Sequence, residues 1–135
     1  MKPLIVVVDY GMGNLRSAAK ALEREGGQVI VSSAPGVLRR ADAVVLPGVG
    51  AFGQAVARLK SAGMFRALAE WLERGRPFLG ICLGMQLLFE ESLEFGRHRG
   101  FGAFRGRVVP FGRDLRVPHM GWNGLEVAGA RGLFR

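Results

Sequence analysis

Three short apolar runs, each meeting a glycine turn, restrict this chain more than any other feature. "PLIVVVDY" (3–10) runs into "GMGN". "AVVLPGVG" (43–50) carries its own turn, and "RPFLGI" (76–81) runs into "CLG". Continuous Val/Ile/Leu runs of this length are the pattern of strands buried on both faces, which belong to parallel sheets. "QVIVSS" (28–33) reads as one more strand. Helical patterns fill the gaps. "LRSAAKALEREGG" sets Leu15, Ala18, Ala19 and Leu22 on one face and stops at Gly26. "FGQAVARLKSAG" and "MFRALAEWLERG" predict two helices parted near Gly63, the second with Phe65, Leu68, Ala69 and Leu72 as its apolar face. "APGVLRRAD" is a connection with one helical turn. "GMQLLFEES" is predicted to continue from the fourth strand as a helix, and "GRVVPF" and "GWNGLEV" as short strands. Strands alternating with helices give an α/β fold with a doubly wound, mostly parallel sheet, in a single domain over 1–135.

Ligands in such sheets bind at the carboxyl ends of the strands. Three glycine-rich turns are expected there: "DYGMGN", "LPGVG" and "GICLG". The first begins G-x-G but has Arg16 at its sixth position. Ser32 and Ser33 stand where a dinucleotide site needs an acid, so a nicotinamide cofactor is not expected. No phosphate-binding G-x-x-x-x-G-K-[ST] occurs either, and no cofactor is expected.

"GICLG" holds the only cysteine, Cys82. A lone cysteine is commonly a small core residue. Gly80-x-Cys82-x-Gly84 between a strand and a helix instead has the form of a nucleophile elbow with cysteine in place of serine. A sharp turn lifts the side chain out of the sheet, and the flanking glycines relieve the crowding it creates. The helix that follows directs its N-terminus at the sulfur, which favours thiolate. The Leu83 amide is then free to bind an oxyanion, and the "PGVG" turn (47–50) should lie beside it. A base is harder to find. His98 lies in an arginine-rich loop, and no acidic residue follows His119 within six positions.

Composition narrows the class. One cysteine excludes an internal disulfide, and with two histidines it makes a poor zinc set, so no metal site is expected. The first apolar run is stopped by Asp9, too short for a membrane span or signal core, so a soluble, cytoplasmic protein is expected, without membrane association. The net charge is +8, which could suit an acidic partner. Its densest part, "RHRGFGAFRGR" (97–107), interleaves arginines with Phe101 and Phe104. No nucleic-acid module accompanies it, and it reads as a solvated loop rather than a nucleic-acid site.

"GICLGMQLLFE" resembles the nucleophile segment of the class I, triad-type glutamine amidotransferases. "DYGMGNLRSAAKALE", "LPGVGAFGQAV" and "PHMGWN" are similar to one branch of them, the glutaminase subunits of imidazole glycerol phosphate synthase. The resemblance covers residues 4 to about 126. It implies a flavodoxin-like sheet and hydrolysis of glutamine to glutamate and ammonia in histidine biosynthesis. Cys82 would form a glutamyl thioester. Gly48, Val49, Gly50 and Leu83 would provide the oxyanion hole, and Gln86 would help hold glutamine. Ammonia would pass to a cyclase subunit, a (β/α)8 barrel, for conversion of PRFAR to imidazole glycerol phosphate and AICAR. Asn14, Met120 and Trp122 would face that subunit in a heterodimer.

The family's H-P-E motif, source of its catalytic histidine and glutamate, does not occur in the 135 residues. Neither His98 nor His119 aligns with it. The relatives' Leu-Gly-x-Ile/Leu-Pro-Gly is replaced by Phe-Gly-Ala-Phe-Arg-Gly (101–106). The expectation is a chain lacking the C-terminal portion of the fold and inactive as it stands. The alternative is a non-catalytic remnant that only docks on the cyclase.

Overall fold

The computed structural model describes residues 1–127. Residues 128–135, the end of the expected domain, lie outside the described residues.

The valine runs form the expected parallel sheet. Its strands are β1 (Leu4–Val8), β2 (Gln28–Ser32), β3 (Ala43–Gly48) and β4 (Phe78–Cys82), in the order β2-β1-β3-β4, with every pairing parallel. Helix α1 (Leu15–Arg24) covers β1 and β2 on one face and turns inward the residues expected, with Ala19 buried. Its first turn is capped by Asn14, whose Oδ1 accepts from the Ser17 amide at 3.2 Å, satisfying one of the amides that a helix start leaves open. A 3-10 turn (Pro35–Arg40) forms the connection into β3.

The main core lies on the other face. Val6, Val8, Val44 and Leu46 project from β1 and β3 against α2 (Phe52–Ser61) and α3 (Met64–Glu73). Phe52, Leu59, Met64 and Leu68 are fully buried there. The inward face of α3 differs from expectation. Met64, Leu68 and Trp71 are buried, whereas Ala69 and Leu72 lie on its shoulders. The Trp71 indole turns the face, because its Nε1 donates to the Pro77 carbonyl at 3.1 Å and the Arg76 guanidinium stacks on its ring at 3.5 Å.

Three expectations fail at the C-terminal side. Among the described residues, β4 is an edge strand rather than a fully buried one: Leu79 and Ile81 are each 40% exposed. The helix after the elbow, α4, is a single turn (Leu83–Gln86), and most of "LFEES" becomes strand β5 (Phe89–Ser92). β5 pairs with β6 (His98–Arg99) and β7 (Phe104–Val108) in a small second sheet, and this distant pairing overrides the local helical pattern. "GRVVPF" contributes only its beginning to β7, and "GWNGLEV" (121–127) is irregular and exposed, with no strand pairing among the described residues. In the arginine-rich loop, Arg97 and Arg107 pair with Glu91. Phe101 stacks on Phe65 with ring centroids 4.5 Å apart, so that ring is engaged in packing.

Candidate active site

Parallel pairing brings the three turns together. β1 and β4 flank β3, and the last register pair of β3 and β4 is Gly48 opposite Cys82. The oxyanion turn and the elbow therefore leave the sheet side by side, as the sequence predicts.

Cys82 itself has φ 55° and ψ −114°, a left-handed conformation that side chains with a Cβ rarely adopt. Strain of this kind costs about 1–3 kcal/mol and persists where the surroundings enforce it. The enforcing groups are the flanking glycines and what they touch. A Cβ on Gly80 would stand 2.6 Å from the Met85 backbone, and one on Gly84 would overlap the Leu46 carbonyl. Only hydrogen at both positions lets α4 fold directly back over β3 and β4. The cysteine is exposed as a result. Because α4 is one turn long, it brings a small share of the helix dipole expected at the sulfur. What it does supply is the Leu83 amide, in a first turn where N–H groups have no intrahelical acceptor.

The oxyanion turn is built just as closely. Gly48 is buried, and a Cβ there would meet Tyr10 Oη at 2.5 Å, Leu83 Cβ at 2.9 Å and the Gly84 nitrogen at 3.0 Å. Val49 and Gly50 then emerge into solvent, Gly50 with φ 93°. The Tyr10 hydroxyl donates to the Pro47 carbonyl at 3.0 Å. Burial, and then the nearby Cys82 charge, push the Tyr10 pKa up to about 12. Tyr10 was absent from the sequence reading. It lies in a glycine turn that was read for dinucleotide binding, and its partner is 37 residues away.

Gln86 ends α4 and lines a cavity of about 450 Å³ with Glu94, Phe95, Val108, Pro110 and His119. Cys82 and the oxyanion turn are not among its lining residues, so the structure does not join this cavity to the sulfur. Glu94 was also missed. Its carboxylate accepts from the Phe52 amide at the start of α2 (3.5 Å), and its own amide donates to buried Ser92 Oγ at 3.1 Å. Each histidine has a hydrogen-bond partner other than Cys82. The Nε2 of His98 donates to the Phe95 carbonyl at 3.2 Å and its ring packs on Gly53, while Asn123 Nδ2 donates to His119 Nε2 at 3.3 Å. Asn14 is exposed beside the first turn, and Met120 (84%) and Trp122 (103%) are exposed on the C-terminal segment.

The glutamine amidotransferase class-I family profile matches residues 6–130. The chain belongs to that family. Within the class-I glutamine amidotransferases it is similar to proteins named imidazole glycerol phosphate synthase subunit HisH. The Syntrophotalea carbinolica protein is 48% identical over 139 residues, covering 98% of this chain and 68% of its relative. The Aquifex aeolicus protein is 52% identical over 121 residues, covering 89% and 58%, and that of Geobacter metallireducens is 47% identical, covering 91% and 62%. The chain thus spans 58–68% of the length of these relatives. A solved structure described as a glutamine amidotransferase superposes with a TM-score of 0.67 at 23% identity, over 81% of this chain and 59% of that one, which agrees with the α/β fold.

Proposed function

We propose that this chain is a glutaminase subunit of imidazole glycerol phosphate synthase, acting in the cytoplasm as a heterodimer with a (β/α)8 cyclase subunit. The observation that carries the reading is the strained, exposed Cys82 opposite Gly48. The Cys82 thiolate attacks the side-chain carbonyl carbon of glutamine, and the carbonyl electrons move onto oxygen. Amides from Leu83 and from the Gly48–Gly50 turn receive that oxyanion. When the tetrahedral adduct collapses, the C–N bond breaks and the nitrogen leaves as ammonia after taking a proton. Water then cleaves the thioester, giving glutamate and the free thiol. Donors of this kind are worth about 10²–10³ in rate each. Gln86 helps hold the substrate from the end of α4.

Acylation and hydrolysis both need a proton carrier. Among the described residues, His98 and His119 are engaged with Phe95 and Asn123, and neither is brought to Cys82 by a hydrogen bond. Trp122, Met120 and Asn14 form the docking surface for the cyclase, to which ammonia is delivered.

The test uses the purified chain and a cyclase subunit from one of the similar proteins' organisms. Expected is a stable complex with no sustained glutamate release. Failure to form any complex overturns the subunit assignment. Sustained release overturns the exclusion of His98 and His119 as bases.

A further inference from the structure

The first turn touches the oxyanion turn through Tyr10, Met12 and Gly13. Tyr10 donates to the Pro47 carbonyl. A Cβ on Gly13 would stand 3.2 Å from the Pro47 carbonyl carbon and 3.3 Å from the Gly48 nitrogen, so Gly13 backs the same peptide. Met12, itself buried, brings its Cε to within 3.0 Å of the Cβ position on Gly50. From the far side, Arg58 Nη1 donates to the Gly11 carbonyl at 3.0 Å. Arg58 belongs to α2, the helix that begins where the oxyanion turn ends. Residues 10–13 thereby pack on Pro47, Gly48 and Gly50, and are held from α2 by Arg58.

We propose that Tyr10 is a positioning residue for the oxyanion turn, its hydroxyl fixing the last peptide of β3 so that the amides beyond it project from a set base. A peptide unit is planar, so holding the Pro47 oxygen sets the direction of the Gly48 N–H and the plane from which the chain continues. The peptides on either side of Val49 lie beyond the sheet, where Val49 and Gly50 are exposed. An oxyanion donor works only when its N–H is already aimed at the place where charge develops. Tyr10 acts through Pro47. This rests on the glutaminase reading for its catalytic meaning, but the positioning itself is measured separately.

The variant is Tyr10→Phe in the full chain, which keeps the ring and removes the one hydroxyl. Two readouts are taken. By NMR, the Pro47 carbonyl signal and the Gly48, Val49 and Gly50 amide signals shift, while amides within β1 and the rest of β3 are unchanged. By mass spectrometry, labelling of Cys82 by a glutamine-shaped chloroketone, which passes through a thiolate–carbonyl adduct bearing an oxyanion before chloride leaves and the thioether forms, slows about tenfold or more, because a donor misplaced by about 1 Å loses most of its effect. Labelling by iodoacetamide, which forms no oxyanion, stays within about twofold, the result expected if only the oxyanion donors are disturbed. Unchanged Gly48, Val49 and Gly50 amide signals, or equal shifts throughout the sheet, overturn the positioning role. If glutamine fails to protect the unmutated chain from the chloroketone, the glutaminase reading falls and the NMR result still decides the role of Tyr10.

Discussion

Gly84 lies directly against Leu46: a methyl group on Gly84 would overlap the Leu46 carbonyl oxygen. The contact sets the distance between α4 and β3, and with it the position of the elbow. Gly84→Ala has no flexible neighbour to displace, since the opposing atoms are backbone. Overpacking of this kind costs about 1–3 kcal/mol and sometimes more, so a drop in melting temperature of several degrees or loss of folding is expected. Gly36→Ala, facing only the mobile end of Arg39 at 3.6 Å, serves as the contrast and should leave the melting temperature within a degree or two. Thermal unfolding by circular dichroism checks both.

Cys82→Gly should act the other way. The positive φ of Cys82 suits glycine, and the exposed thiol gives up little packing. Relief of the strain is expected to raise stability by about 1 kcal/mol, read as a higher midpoint in urea, while abolishing every Cys82-directed modification. A lower midpoint would mean that the conformation is not strained in the folded chain.

Tyr10 is the only tyrosine, so tyrosinate absorbance reports it alone. The groups facing it are Cys82 from the elbow, Arg58 through the first turn, and Asp9 beside it in sequence. Its ionisation is expected near pH 12 against an ordinary value of 10.0. Capping Cys82 with a neutral alkyl group removes the opposing charge and should move the midpoint down. The raised value belongs to the folded state, which holds the proton more tightly than the unfolded chain does. The associated stability is therefore complete below pH 10 and is lost as pH rises toward 12. Tyr10→Phe should lack that part of the alkaline loss.

Much of this architecture is legible in the residues. The valine runs specify a parallel sheet, and the turns "LPGVG" and "GICLG" specify an elbow with an oxyanion turn beside it. The illegible parts depend on partners far along the chain. Residues 89–92 look helical until β7, some fifteen residues on, pairs with them. The inward face of α3 is set by an indole reaching the Pro77 carbonyl. Tyr10 sits in a motif read for its glycines, and its purpose shows only when Pro47 is brought alongside.

Trp122 is fully exposed and Met120 nearly so, which makes them inexpensive to remove from the free chain and costly to remove from an interface. Trp122→Ala should leave the melting temperature unchanged and weaken binding to the cyclase by about tenfold or more, since buried aromatic anchors contribute about 2 kcal/mol or more at interfaces. Binding by calorimetry, with equal affinity for both forms, would remove Trp122 from the docking surface.

The central claim is that Cys82 is a nucleophile shaped for glutamine. The most direct measurement is the rate at which a glutamine-shaped chloroketone labels Cys82, followed by mass spectrometry with and without glutamine. The account predicts labelling well above that by a chloroketone of unrelated shape, with glutamine protecting in a saturable way. Equal rates for the two reagents, with no protection by glutamine, would contradict it.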